Sequence, residues 1–339
     1  MLTNPCYEIT KFGFDGLHKG NYELAKLKDN EVLIESCAWS LNYRDLMMIK
    51  GIYNPKLKLP IIPLSDVCGK VIEIGSQVKN FKLGDLVCPN FMPNYTSGPL
   101  LKEHVQNALG GAINGVLAQK LKFEETGLVK LPSNLSAVQG ATLPCAALTA
   151  WSALLEYNKC KPGDTILTFG SGGVSLFSIA FAKLCSVKSI VVSSKEERFD
   201  DLKRLGATHC LNYKTNPKWD DDVLEITNGI GVDHVIELGG ANTLEKSVKV
   251  TKLNGTISLI GVLAGIGSFN PISVLMKAIK IQGIFVGHKQ MFERMNKAIE
   301  LNNVIPVIDD KLFNFNNVPK AYEYFEQGQH FGKVVISKD

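Results

Sequence analysis

The chain has 339 residues, 45% hydrophobic and 21% charged, with a formal net charge of +4 from 37 Lys+Arg against 33 Asp+Glu. This is globular composition, long enough for two domains, and the charge excess is too small to argue for nucleic acid or a membrane surface as partner. No apolar run reaches the roughly 18 residues of a membrane span and residues 1–20 lack an apolar signal core, so the expectation is a cytoplasmic protein acting on a small molecule.

The eight cysteines are scattered and none forms a C-x-x-C pair, which excludes a zinc ribbon or a redox dithiol and reads as reduced thiols, mostly core fillers. In chain order, the first third is β-rich. Glu31 to Ala38, Val67 to Ile74 and Leu83 to Pro89 are short strand candidates separated by turns, the pattern of a compact, mostly antiparallel, barrel-like domain. Asn94 to Gly115 is an irregular excursion of the kind that serves as a functional lobe or lid. Ala137 to Tyr157 is rich in Ala and Leu and predicts two helices broken at Pro144.

Beyond it β and α alternate. Strands are predicted at Thr165 to Phe169, Ser189 to Ser193, Val232 to Glu237, Thr256 to Ile260 and Ile281 to Val286, with helices at Val174 to Cys185 and Glu196 to Leu205. The fold class is therefore α/β, a doubly wound parallel Rossmann sheet beside the antiparallel domain. The tail adds two helices and a last strand, Lys333 to Ser337, expected to return to the first domain. The expected boundaries are 1–146 with 288–339 for the catalytic domain and 147–287 for the nucleotide-binding domain.

The sharpest local signal is the strand that runs into Gly170-Ser171-Gly172-Gly173-Val174-Ser175 and then into a helix. Gly170 permits the turn, and Gly172 and Gly173 let backbone approach a diphosphate at the helix N-terminus, where free N–H groups and the helix dipole favour an anion. A Gly-rich turn alone is weak, but its place in a βαβ run favours a dinucleotide. NAD enzymes carry an acid at the end of the next strand, about 20 residues on. Ser193, Ser194, Lys195 and Arg198 stand there instead, groups suited to the 2′-phosphate of NADP(H). Glu196 or Glu197 turning inward is the alternative, and would suit NADH.

Several motifs, in order and over nearly the full length, resemble the medium-chain dehydrogenase/reductase superfamily, most closely its zinc-free quinone-oxidoreductase-like branch. They are LNYRDLMMIKGIY (Leu41 to Tyr53), PLSDVCGKVIEIGSQVKNFKLGDLV (Pro63 to Val87), ATLPCAALTAWSAL (Ala141 to Leu154), the glycine turn, RLGATHCLNY (Arg204 to Tyr213) and FGKVVI (Phe331 to Ile336). The resemblance implies a GroES-like catalytic domain, a Rossmann domain, an active site in the cleft between them and a homodimer joined through the last Rossmann strand. It carries Thr149 over to the nicotinamide, Tyr213 and Arg198 to the adenine side, and Leu238, Gly239, Gly261, Val262 and Leu263 to strand ends that line the cofactor. Lys333 is read as closing its strand rather than reaching the cofactor.

The departures are informative. Asn42 and Ser65 stand where zinc enzymes of the superfamily have Cys and His ligands, and the excursion from Pro89 to Gly115 has no cysteine. The expectation is no catalytic and no structural zinc. Charge that develops on a substrate oxygen then needs hydrogen-bond donors and a proton source. Asn42 and Tyr53 are the candidates, with Tyr43 as rival; for either tyrosine the alternative is core packing. Arg44 and Asp45 are read as fixing their loop, Cys145 as a small core residue, and the histidines as structural. The function expected is NADPH-dependent hydride transfer to quinones or α,β-unsaturated carbonyls. A zinc-free alcohol dehydrogenase or ketone reductase, and a non-catalytic nucleotide-binding sensor, are the alternatives.

Overall fold

The computed structural model describes residues 4–261 and 267–338, so Val262 and Leu263 lie outside the described residues. The chain divides into two compact units, Met1–Leu148 with Gly287–Asp339, and Thr149–Val286.

The first unit is built on a seven-stranded sheet organised by the strand Glu31–Ser40. Its apolar residues bury on both faces, and Val32, Ile34, Ala38 and Trp39 are fully inaccessible. Along one side it pairs antiparallel with Asp66–Ile74. Along the other, its first half pairs with Lys120–Glu124 and its second half with the C-terminal strand Val335–Ser337, which comes back into this sheet. The strand path is open: its end strands, Phe313–Asn314 and Leu128–Lys130, do not pair with each other. The unit is thus barrel-like without a closed barrel. Trp39 anchors the core, donating from Nε1 to the Val116 carbonyl at 2.6 Å and packing 5.0 Å from the Phe315 ring.

Register decides what gathers at one end of this sheet. Ser40 lies opposite both Asp66 and Val335. The chain segments just beyond these residues, Leu41–Asn42, Leu64–Ser65 and Lys333–Val334, therefore emerge together. Leu64 holds a left-handed backbone (φ 69°), and a Cβ on Gly115 would sit 2.1 Å from its carbonyl, so only glycine lets the two backbones meet there. The excursion from Asn94 to Gly115 is folded around Tyr95, whose hydroxyl donates to Gly98 and whose ring stacks 4.4 Å from His104.

The second unit is a six-stranded, all-parallel sheet in the order His209–Asn212, Lys188–Ser193, Thr165–Phe169, Val232–Glu237, Thr251–Leu259, Lys280–Gly283. Numbered along the chain this is 3-2-1-4-5-6, the Rossmann order, with its switch point between Thr165–Phe169 and Val232–Glu237. The central strands carry an apolar core, with Leu167, Ile190, Val235 and Ile257 inaccessible. His209–Asn212, noted in the sequence only as part of a motif, is a strand. The strand expected to reach Val286 ends at Gly283, and Val286 has turned left-handed (φ 54°). Pro144 lies in the first turn of a helical run from Leu143 to Tyr157 that contains two π-helical stretches. No described helix is long and apolar enough to cross a membrane.

Candidate active site

In the first unit, Asn42 caps the helix Tyr43–Ile49 in extended backbone (φ −125°), and its N–H donates to the Asp45 carboxylate at 2.8 Å. Both residues are buried, at 8% and 1% exposure. The Lys333 ammonium reaches them from the far end of the chain. It donates to the Leu41 carbonyl at 2.7 Å and to Asn42 Oδ1 at 2.5 Å, and lies 3.7 Å from Asp66 Oδ2. Asp66, fully buried, also accepts from the Ser65 hydroxyl at 2.8 Å. Among the described residues Asn42 Nδ2 makes no well-formed hydrogen bond, although the Asn42 side chain helps to hold the Asp66 carboxylate ionised. A buried amide N–H left unmet is costly, and a ligand oxygen is the natural group to meet it.

Burial raises the pKa values of Asp45, Asp66 and Cys145. Asp45 is pushed up to about 6, with Arg44 and Lys333 acting against that rise and Asp66 adding to it. Asp66 is also raised by burial, while Lys333 draws it back. The Cys145 thiol is pushed up to about 12 by burial and then by Asp66, so it is a poor thiolate and a poor nucleophile.

Tyr43 and Tyr53 are exposed, at 48% and 42%, which removes core packing as the explanation for either. Tyr53 lies under Arg44, whose guanidinium carbon is 5.7 Å from the ring centre and 4.7 Å from that of Phe91. Arg44 also donates to the Leu109 carbonyl at 2.9 Å, and Asp45 caps Asn42, so this pair does hold the loop together. His104 and His288 accept backbone N–H groups of Leu101 and Met291, and His330 stacks on Phe325.

Lys333, expected from the sequence only to close its strand, does more, because its side chain turns inward to Asn42 and Asp66. The signals were a lone lysine before Val334-Val335-Ile336 and an aspartate opening the apolar strand Asp66–Ile74, both of them charges in runs that should be buried.

In the second unit, Gly170 (φ 74°) turns the chain, and its N–H donates to the Val192 carbonyl at 2.8 Å. The helix Gly173–Leu184 follows, with Gly172 as an N-cap that offers no side chain, so the N–H groups of its first turn remain available to a ligand. A Cβ built at Gly170 or Gly172 would meet nothing within 4 Å. Ser171 and Ser175 are buried, Val174 is half-buried, and the Ser175 hydroxyl donates to the Phe169 carbonyl, fastening helix to strand.

At the end of the next strand Ser193 is buried and accepts from the Lys195 N–H at 3.2 Å, and Tyr213 N–H donates to its carbonyl. Ser194, Lys195 and Arg198 are half-buried. Arg198 lies 3.9 Å from Asp201. Glu196 is exposed and accepts from the Asn212 amide at 3.1 Å, and Glu197 is exposed as well. Thr149 is buried at 4%.

Glu237, which the sequence reading passed over, organises the Leu238–Gly240 turn. Its Oε1 accepts from Gly239 N–H at 2.8 Å, Gly240 N–H at 3.0 Å and the Thr243 hydroxyl at 2.6 Å. Its carbonyl accepts from Gly261 N–H at 3.0 Å. Gly170–Val174, Ser193–Arg198, Leu238–Gly239 and Gly261 thus all lie at the carboxyl ends of strands in one parallel sheet, where such sheets bind ligands.

Residues 28–133 match the alcohol dehydrogenase GroES-like domain family and residues 173–301 the zinc-binding dehydrogenase family. A zinc-type alcohol dehydrogenase-like protein of Schizosaccharomyces pombe is 41% identical over 335 residues, covering 96% of each chain. A 2-methylene-furan-3-one reductase of Solanum lycopersicum is 30% identical over 94% of this chain and 74% of its own. A crystal structure from Sinorhizobium meliloti 1021, named provisionally as an alcohol dehydrogenase, superposes with a TM-score of 0.91 at 34% identity, covering 99% of this chain and 100% of that one. The chain belongs to the medium-chain dehydrogenase/reductase superfamily. It is an oxidoreductase of a family that works with a nicotinamide cofactor.

The second unit fits that cofactor: open space over Gly170 and Gly172 and an uncapped helix start are what a diphosphate needs. The first unit fits zinc poorly. Asn42 Oδ1 is already taken by an ammonium and Ser65 is bonded to Asp66, whereas zinc is held by thiolate, imidazole or carboxylate.

Proposed function

We propose that the chain is an NADP(H)-dependent reductase of quinones or α,β-unsaturated carbonyls that uses no zinc in catalysis. The observation that carries the reading without catalytic zinc is the buried Lys333 ammonium, which sits against Asp66 and against Asn42, the position of a Cys ligand in the superfamily's zinc enzymes. A fixed lysine cation beside a metal dication would be repelled strongly in so buried a place. Support for NADP(H) comes from Ser193, Ser194, Lys195 and Arg198 following the second Rossmann strand, with Glu196 engaged by Asn212.

The nicotinamide, when bound, supplies the hydride. The chain's own residues then have two tasks. Asn42, its Oδ1 pinned by Lys333, presents its Nδ2–H as a donor to a substrate oxygen that gains negative charge. Tyr53, exposed and beside Arg44, is the candidate to hold or pass the proton that neutralises that oxygen. Conjugated substrates suit this machinery because their developing charge is already delocalised.

We also propose a homodimer. The edge strand Lys280–Gly283 follows the helix Ile272–Met276, whose Leu275 and Met276 are 78% and 73% exposed, apolar side chains that a partner subunit would cover.

The test is consumption of NADPH and NADH against a panel of quinones, enones and saturated ketones. Turnover of quinones or enones with NADPH supports the reading. Activity confined to saturated ketones and alcohols would favour an alcohol dehydrogenase or ketone reductase, and tight NADPH binding without turnover a nucleotide sensor.

A further inference from the structure

The second unit carries a cluster of a different chemistry at the opposite end of its sheet. Cys160, Asp164 and His234 each offer a ligand atom, and these atoms all lie within 4.8 Å of one another. Among the described residues no other group of three His, Cys, Asp or Glu side chains does so. Cys160 and Asp164 belong to one tight loop before the strand Thr165–Phe169. There Cys160 N–H donates to the Leu154 carbonyl at 2.9 Å, Gly163 is left-handed (φ 92°), and Asp164 Oδ2 accepts from Lys161 N–H at 2.8 Å.

His234 stands on Val232–Glu237 opposite Ile166, near the strand's amino end. Its ring is 7% exposed, its Nε2 is a long 3.4 Å from Asp164 Oδ2, and its Nδ1 is buried with no hydrogen-bond partner. The glycine turn lies at the other end of Thr165–Phe169, about 16 Å away at the rise of a strand.

We propose that Cys160, Asp164 and His234 form a site for one divalent cation of the zinc class, separate from the cofactor site, that ties the loop before the first Rossmann strand to the fourth. Thiolate, imidazole and carboxylate are the three donor types zinc takes, and three protein ligands leave a fourth position for water. Metal–ligand bonds of about 2.0–2.3 Å in a tetrahedron put ligand atoms about 3.3–3.8 Å apart, so side-chain rotations of roughly an ångström close the set.

The charges agree. Asp164 and Asp233 lie beside Cys160, and the Lys252 ammonium pairs with Asp233 alone. One negative charge is thus left for an incoming cation. Burial keeps His234 below its ordinary pKa, in the neutral form that ligates. Burial and the same carboxylates hold the Cys160 thiol protonated, so binding forms a metal–sulfur bond, breaks the S–H bond and releases its proton to solvent.

The experiment uses the full chain, stripped with a chelator and titrated with Co²⁺ alone. Visible d–d absorption and a thiolate-to-metal charge-transfer band are expected to saturate at one equivalent per chain. C160S abolishes the charge-transfer band, C160S and D164N each weaken binding at least tenfold, and NADPH binding is unchanged in both. C145S, in the other unit, leaves the spectrum intact. A wild-type chain that takes up no saturating Co²⁺, or a band that survives C160S or disappears in C145S, overturns the proposal.

Discussion

At Asn42 one side chain is asked to do two things. Its carbonyl oxygen holds the Lys333 ammonium and its amide nitrogen is left for something outside the protein. Removing it should therefore cost turnover and not cofactor affinity. N42A is expected to lower kcat about 100–1,000-fold, the range for loss of one donor to a developing oxyanion, with the Kd for NADPH within about twofold. An unchanged kcat would take Asn42 out of the chemistry.

Asp45 makes a different prediction. Its native pKa of about 6 lies above its ordinary 3.8, so between these values the folded protein binds the proton more tightly than the unfolded chain does. Stability from this group is full below pH ~4 and is lost as pH rises through ~6, by roughly 3 kcal/mol. D45N removes that slope. The stability of D45N relative to wild type should rise from pH 4 to 6, read by denaturant unfolding at each pH, and a constant difference would contradict it. At the second Rossmann strand, R198A should weaken NADPH about 10–100-fold, as expected for lost charge-assisted hydrogen bonds, and leave NADH nearly unaffected. Equal effects on both would put the extra phosphate elsewhere.

Among the elements, the strand–turn–helix from Thr165 to Leu184 is the most self-contained. A Cβ at Gly172 meets nothing and its φ of −81° suits any residue, so G172V should fold with little change in Tm. The added side chain would occupy the space a diphosphate needs, and nucleotide binding should fall more than about 100-fold by calorimetry. Retained binding would remove this turn from the site. Gly170 is a different case, since its left-handed backbone makes any side chain costly whatever the space. The Leu238–Gly240 turn depends on Glu237 in turn, since one carboxylate oxygen gathers two N–H groups and a hydroxyl there.

At the scale of the molecule, the exposed apolar helix Ile272–Met276 that precedes an unpaired sheet edge argues for self-association. L275D should shift the chain from dimer to monomer in light scattering, and a monomeric wild type would defeat the dimer directly. Much of the architecture was legible in the sequence. The strands Thr165–Phe169 and Val232–Glu237 agree with the sequence reading, their Ile166, Leu167, Val235 and Ile236 supplying the buried apolar residues that announced them. Weaker patterns misled. His209–Asn212 is a half-buried edge strand with little hydrophobic signal, and the run Ile281 to Val286 stays apolar after its backbone has left the ladder.

The sequence by itself determined the local devices: where a strand feeds a glycine turn, where a helix opens without a cap, and which residue types follow the second Rossmann strand. These are written in neighbouring residues because hydrogen bonding and backbone sterics act over a few positions. Only the tertiary structure decided that Lys333 meets Asn42, 291 positions away, and that Cys160 and Asp164 meet His234. Such meetings are fixed by strand register and sheet order, and these follow from how the whole chain buries its apolar faces.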